Sequence, residues 1–229
     1  MVLEAVKNQG IALKWASDRL ENNKEVVFNA VKNNGLALEY ASYNLTKDKT
    51  VVMEAIKNNV YALQYTFNTF KDDKEVILQA VSENSKALQF ASPELRDNKE
   101  FMLKIIALKN EGINLEFASD RLKNDREFVR EACKNENWNL KFSSQKLRDD
   151  KDLIMEVIKR NGSIISCVSD RLKDDKEIVL EAVKSNTLNL HYASDRLKND
   201  KLFIIDLINK KDIDILRYDT TISFYNFHY

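Results

Sequence analysis

The sequence repeats one pattern about nine times with a period of 25 residues. The segment KEVVFNAVKNNG at 24–35 returns as KEIVLEAVKSNT at 176–187, and the Ala-Ser pair at 41–42 returns at 193–194. A period of this length indicates a stack of similar supersecondary units, each burying apolar surface against its neighbours. The repeat therefore constrains the fold more than any single motif does.

The register places repeat starts near residues 1, 24, 49, 74, 99, 126, 151, 176 and 201, and we number these repeats 1 to 9. One proline and four glycines in 229 residues favour a chain that is helical nearly throughout. We therefore expect an all-α fold: an α-solenoid or superhelical array of about nine 25-residue two-helix repeats, in one domain over residues 1–229. Two extra residues near 108–111 fall where the first helix of repeat 5 ends.

The opening of each repeat predicts the start of a helix. An Asp or Asn lies two residues before the basic residue and a Glu one residue after it, as Asp72 and Glu75 do around Lys74. This spacing is typical of a capping box, so we expect residues such as Asp72 to accept hydrogen bonds from the first helical amides. The segment NNG at 33–35 predicts the helix end, with Asn or Gly in the left-handed conformation.

A shorter second helix, as in residues 36–42, is predicted to give the core one aliphatic, one aromatic and one small residue per repeat. The aliphatic column is Leu13, Leu38, Leu63, Leu88, Leu115, Leu140, Ile165 and Leu190. The aromatic column is Trp15, Tyr40, Tyr65, Phe90, Phe117, Phe142, Cys167 and Tyr192, with Cys167 replacing a ring. A Ser-x-x-Leu sequence follows, in which Ser caps a turn and Leu packs between repeats. Repeat 3 has Phe67 and Phe70 at these two positions, which predicts local repacking or an exposed apolar spot.

Composition excludes several classes of protein. Thirty-six basic and 36 acidic residues cancel, so no overall charge favours binding to nucleic acid. No apolar run approaches the roughly 18 residues of a membrane span, so we expect no membrane span. Two cysteines are too few for a disulfide framework, which favours a reducing compartment. We expect a cytoplasmic protein, located in the host cytosol if the chain is an effector or a viral protein.

No group of residues predicts chemistry. His191 and His228 have no Cys or acidic neighbours at metal-ligand spacing, and His191 is expected on the outer side of its helix. Cys133 and Cys167 occupy apolar positions of the repeat and are interpreted as small core residues. We find no nucleophile motif or phosphate-binding glycine loop. We therefore expect no enzyme activity, no cofactor, and no catalytic, cofactor-binding or metal-binding residues.

The best candidate for a functional surface is an Asp-Arg pair. In several repeats this pair directly follows the serine of the Ser-x-x-Leu sequence. We call this set the Asp-Arg ridge: Asp18, Arg19, Asp120, Arg121, Asp170, Arg171, Asp195 and Arg196. An exposed row of paired charges can bind a partner, but ion-paired surfaces also arise simply to keep repeat arrays in solution. Both interpretations remain open at the level of sequence.

The pattern is lost after Ile208, and the chain ends in the apolar sequence ISFYNFHY. We interpret residues of about 209–229 as a C-terminal cap that covers the core of the last repeat. A partner-docking peptide is the alternative.

The unit KEVVLxAVKxNG followed by LxYASxxLxDD resembles the short helical repeats of domain-of-unknown-function family 4116, from Val2 to about Asp206. The resemblance implies a helical-repeat fold, brings no catalytic residues, and implies a host-associated context. The function we expect is a non-catalytic scaffold for an unknown protein or peptide partner. The alternatives are a repeat region of a larger protein or host-directed effector whose activity lies outside this chain, and a small-ligand or nucleic-acid binder.

Overall fold

The structure is a computed structural model that describes residues 1–108, 115–135 and 137–211. These residues form helices and turns, with no strand among them. They group into two compact units, one made of residues 1–108 and 117–119, the other of residues 115–116 and those from 120 onward. The single domain over 1–229 remains a prediction. Most of the predicted C-terminal cap, from residue 212 to 229, lies outside the described residues.

Repeats 1 to 8 each contain three short helical segments, and the described part of repeat 9 contains the first of them. The first helices are Val2–Asn8, Lys24–Asn33, Lys49–Asn58, Lys74–Glu83, Lys99–Ile106, Arg126–Asn135, Lys151–Ile158, Lys176–Ser185 and Lys201–Lys211. The second helices are 3₁₀ helices: Gly10–Trp15, Gly35–Tyr40, Val60–Tyr65, Ser85–Phe90, Leu115–Phe117, Asn137–Phe142, Gly162–Cys167 and Thr187–Tyr192. The third segments are Asp18–Glu21, Leu45–Lys47, Asn68–Lys71, Pro93–Arg96, Asp120–Lys123, Gln145–Arg148, Asp170–Lys173 and Asp195–Lys198. The predicted all-α repeat array is confirmed, and the turn predicted after the second helix is itself helical.

The first helices form because they have one apolar face and, from repeat 2 onward, a side-chain cap; Val2–Asn8 begins after Met1 without one. In repeat 4, Val76, Ile77, Ala80 and Val81 are fully buried at spacings of three and four residues. The cap is Asp73, whose Oδ1 accepts hydrogen bonds from the amides of residues 75 and 76 at 2.9 and 3.2 Å. Burying one face of the helix against its neighbours supplies stability that a ten-residue helix lacks in water.

The capping position predicted from the sequence was one residue too early. Asp73, and not Asp72, is the cap, so Glu75 is the second helical residue and is not at the third position that a capping box requires. The Glu75 carboxylate instead binds Lys49 Nζ of the preceding repeat at 2.7 Å. Two consecutive Asp residues, Asp72 and Asp73, precede the helix. Asp72 does not cap it because its carboxylate accepts a hydrogen bond from the Ser92 hydroxyl.

The second helices bury a line of residues that are three positions apart. A 3₁₀ helix has three residues per turn, so side chains at this spacing lie on the same side of the helix. In repeat 3 this line is Val60, Leu63 and Thr66, all of which are buried. The predicted aliphatic column is confirmed in the core. The aromatic column is not, since Tyr65 lies off the buried line and is only half-buried, as its counterparts are in most repeats.

The predicted left-handed helix stop was also wrong. Asn34 closes the first helix of repeat 2 in an extended conformation, with φ −141° and ψ 107°. Gly35 is needed for a different reason: a Cβ there would lie 2.3 Å from the carbonyl oxygen of Ala55 in the next repeat. This close approach lets the Gly35 amide donate to Asn58 Oδ1 at 2.7 Å.

The third segments place the Ser-x-x-Leu residues as predicted. Ser92 Oγ accepts a hydrogen bond from the Leu95 amide at 3.0 Å, and Leu95 is buried. In repeat 3, Phe70 is buried at the leucine position. Phe67 replaces the serine, and its ring makes an edge contact with Tyr43 at 5.9 Å between centroids. The departure in repeat 3 is therefore a local repacking.

We expect Gly35→Ala to lower the free energy of unfolding by about 1 to 3 kcal/mol, because the added methyl separates repeats 2 and 3 and breaks a buried hydrogen bond. Ser85→Ala is the matched control at the same repeat position, where a side chain is already present. Urea unfolding measures both variants. A Gly35→Ala protein as stable as wild type contradicts the close-packing explanation.

Candidate interaction surface

The basic residue that opens a repeat binds the cap of the next first helix, 24 residues later. The pairs, from nitrogen to carboxylate oxygen, are Lys24–Asp48 at 2.7 Å, Lys49–Asp73 at 2.8 Å, Arg126–Asp150 at 2.9 Å, Lys151–Asp175 at 2.8 Å and Lys176–Asp200 at 2.8 Å. Burial alone would raise the pKa of Asp48, but the hydrogen bonds from Lys24 and two helix amides outweigh it and lower that pKa. Each cap thus joins two repeats as well as starting a helix.

The serine after each second helix binds the preceding repeat twice. Its backbone amide donates to a carbonyl 21 residues earlier in the pairs Ser42–Glu21, Ser92–Lys71, Ser144–Lys123, Ser169–Arg148 and Ser194–Lys173, and 23 residues earlier in Ser119–Arg96, where repeat 5 carries two extra residues. Its hydroxyl donates to an Asp or Asn side chain, in the pairs Ser42–Asn22, Ser92–Asp72, Ser119–Asp97, Ser144–Asn124, Ser169–Asp149 and Ser194–Asp174. These acceptors are the residues predicted as helix caps, which explains why they do not cap.

Arginines of the Asp-Arg ridge take part in the same contact. Arg171 Nε lies 3.0 and 3.1 Å from the two carboxylate oxygens of Asp149, and its Nη2 donates to the Asp149 carbonyl at 2.6 Å. Arg196 repeats this arrangement on Asp174. These two guanidinium groups join neighbouring repeats, a role that the sequence prediction did not assign to them.

The carboxylates of the ridge point outward. Asp120, Asp170 and Asp195 side chains are at least nine-tenths exposed, and each approaches a lysine three residues later, at 4.0, 3.2 and 2.8 Å. The remaining ridge residues lie on the third helices as well: Asp18 and Arg19 on Asp18–Glu21, and Arg121 on Asp120–Lys123. Partner binding by this ridge remains a prediction.

A different surface stands out in the structure, and it lies on the second helices. Large apolar side chains are exposed by 40% to 83% at two positions of these helices, one filled by Tyr61, Trp138 and Leu188 and the other by Trp15 and Tyr192. We define the second-helix surface as Tyr40, Tyr61, Tyr65 and Phe90 in the first unit and Trp138, Phe142, Leu188 and Tyr192 in the second unit. Sequence reasoning missed it because it assigned the aromatic residues to the core and ignored the position filled by Tyr61, Trp138 and Leu188.

Polar groups accompany these rings. Tyr61 and Phe90 meet edge to face, with centroids 6.0 Å apart. Lys14 Nζ lies 6.0 Å from the centroid of the Tyr40 ring. Desolvation and the nearby Glu39 carboxylate raise the pKa of both Tyr40 and Tyr65, so the two phenols remain protonated near neutral pH. Rings with polar groups beside them suit recognition of another polypeptide.

The two cysteines differ. Cys133 is fully buried, as predicted, and burial raises the pKa of its thiol to about 12. Cys167 is only half-buried and lines a cavity, so its interpretation as a core residue was wrong.

His191 is exposed, as predicted, and His228 lies outside the described residues. Within residues 1–108, 115–135 and 137–211, no cluster of His, Cys, Asp and Glu could hold a metal ion. No helix in that part of the chain is long and apolar enough to span a membrane.

We expect the wild-type protein to lose stability in acid partly through Asp149 and Asp174. Hydrogen bonds from the following serine and arginine hold the pKa of each carboxyl below its usual value. Their contribution is therefore present above about pH 4 and is lost as the pH falls further. Urea midpoints measured against pH should fall less steeply in Asp149→Asn/Asp174→Asn than in wild type. Asp170→Asn, at an outward-facing carboxylate, is the control. If the urea midpoint falls equally steeply with pH in wild type, in the control and in the double variant, Asp149 and Asp174 do not stabilise the contact between repeats.

The cysteines give a second prediction. Iodoacetamide at about pH 8 should alkylate Cys167 in the folded protein and leave Cys133 unmodified, because only thiolate reacts and Cys133 is buried with a raised pKa. Peptide mass spectrometry detects both sites, and the urea-unfolded protein is the control in which both react. Modification of Cys133 at the rate of Cys167 contradicts the structure at this site.

The chain was compared with protein families, curated proteins and solved structures. The family described as "Domain of unknown function (DUF4116)" matches residues 1–46, 23–71, 73–107, 98–148, 150–190 and 177–218. No curated protein and no solved structure matches. The six matches cover most of the chain and follow the repeats, which confirms the resemblance noted in the sequence. The chain therefore belongs to the DUF4116 family of repeated helical domains.

Proposed function

We propose that this protein is a non-catalytic interaction scaffold whose second-helix surface binds a protein or peptide partner. The observation that carries the proposal is the exposure of large apolar side chains at fixed positions of the second helices, while the buried line of the same helices fills the core. Exposed apolar side chains that lie against one another, as Tyr61 does against Phe90 in the first unit, are characteristic of interaction sites.

The other periodic residues already have structural partners. The basic residue at the start of a repeat, the serine and the ridge arginines Arg171 and Arg196 all bind a neighbouring repeat. Tyr61 touches the next repeat only through the edge of its ring, on Phe90, and Tyr61, Trp138 and Leu188 all keep 40% or more of their surface exposed. Aromatic residues also dominate the binding energy of many protein interfaces, which makes them suitable anchors for a partner.

The test is affinity purification from extracts of the source organism with tagged protein. We expect Tyr61→Ser and the double variant Leu188→Ser/Tyr192→Ser to recover roughly tenfold less of a specific partner, equivalent to about 1.4 kcal/mol of binding energy. Leu202→Ser is the matched control, since Leu202 is 78% exposed but lies on the first helix of repeat 9.

Circular dichroism should show the same helicity in all variants, because every substituted side chain is exposed. Equal recovery of the partner by the second-helix variants and by wild type would exclude this surface as the binding site. Loss of the partner only in Leu202→Ser would assign binding to the first helices instead.

A further inference from the structure

The aromatic column of the second helices is interrupted at Cys167. In the first unit, Tyr61 makes an edge contact with Phe90, which lies 29 residues later on the next second helix. Trp138 and Cys167 occupy the same two repeat positions in the second unit. Trp138 therefore has Cys167 at the repeat position where Tyr61 has the ring of Phe90. The Trp138 side chain is 46% exposed.

A cavity lies at this interruption. It measures about 550 Å³ and is lined by Trp138, Cys167 and Val168 together with polar and charged side chains. Binding sites for small organic molecules commonly have volumes of roughly 300 to 1,000 Å³, so the cavity is large enough for an aromatic ring with a substituent. Trp138 offers a ring for an edge or stacked contact.

The charges that line the cavity are mainly positive. Lys141, Arg148 and Lys173 contribute three cations against one carboxylate, Asp170, which lies 3.2 Å from Lys173 Nζ. Lys141 and Arg148 form no ion pair with a carboxylate of the described residues, and Arg148 Nε is buried without a hydrogen-bond partner. A bound anion in the cavity would pair with the terminal nitrogens of this guanidinium, for which the described residues supply no carboxylate.

We propose that the cavity at Cys167 binds an aromatic ring that carries an adjacent negative charge. The ring takes the place of the aromatic side chain missing from the column, between Trp138 and the Cys167 thiol. The negative group binds Lys141 and Arg148. A free aromatic carboxylate and an aromatic side chain flanked by acidic residues in a peptide both provide this chemistry. The site shares Trp138 with the second-helix surface, but Cys167, Arg148 and Lys173 lie outside that surface, and a small molecule suffices to fill the cavity without the partner.

Calorimetric titration with 2-naphthoate and with the acetylated peptide Asp-Asp-Phe-Asp-Asp tests the proposal and identifies the source of the ring. We expect at least one of the two to bind with a stoichiometry of one. The neutral analogue 2-naphthalenemethanol and the peptide with Ala in place of Phe should bind at least tenfold more weakly. Lack of binding by both probes at millimolar concentration overturns the proposal.

Variants then locate the site. Cys167→Phe restores the ring found at this repeat position in Phe142 and should abolish binding, whereas Cys167→Ser leaves the cavity open and should retain it. Arg148→Gln should weaken binding about tenfold. Arg96→Gln is the matched control, because Arg96 has the same repeat position and the same unpartnered Nε but lies outside this cavity.

A second readout covers the case in which Cys167→Phe does not fold. Saturating probe should slow alkylation of Cys167 by iodoacetamide in the wild-type protein, because the occupied cavity covers the thiol. Unchanged binding in Arg148→Gln, or an unchanged alkylation rate at saturating probe, contradicts the assignment of the site.

Discussion

Each of repeats 2 to 8 is held to the preceding one by a backbone hydrogen bond from the residue after its second helix, a serine in all but repeat 3, to a carbonyl 21 residues earlier, or 23 in repeat 5. The serine hydroxyl and, in repeats 7 and 8, an arginine two residues later add further bonds to the same neighbour. Segments of three to eleven residues are too short to remain helical alone in water, so they depend on these contacts and on the buried apolar faces between repeats. Coupling between adjacent repeats is therefore the constraint on which the other features rest.

This coupling separates structural residues from those available for binding. Lysines, aspartates and serines join neighbours in several of the repeats, although such a set of charged and polar residues resembles a recognition surface in the sequence. The apolar residues at Tyr61, Trp138 and Leu188 recur at one position but vary in type, and they remain exposed.

Much of the fold was predictable, because apolar residues such as Leu38 and Leu63 recur at a fixed position and are buried in the structure. The cap was misplaced because Asp72 and Asp73 are both suitable, and only the position of Ser92 in the next repeat decides between them. The exposure of Tyr65 was missed because the second helix is 3₁₀, with three residues per turn, which rotates the ring away from the buried line. The cavity was missed because the sequence shows only that Cys167 is smaller than the aromatic residues at its repeat position. It does not show whether neighbouring side chains fill the space that the missing ring leaves.

Hydrogen–deuterium exchange of the serine amides tests the central claim most directly. If the amides of Ser169 and Ser194 join successive repeats, they should exchange as slowly as the buried helical amide of Val179, because the same opening of the stack exposes all three. Exchange of the two serine amides at the rate of unstructured peptide, with the helical amide still protected, would show that the repeats are not coupled through this contact.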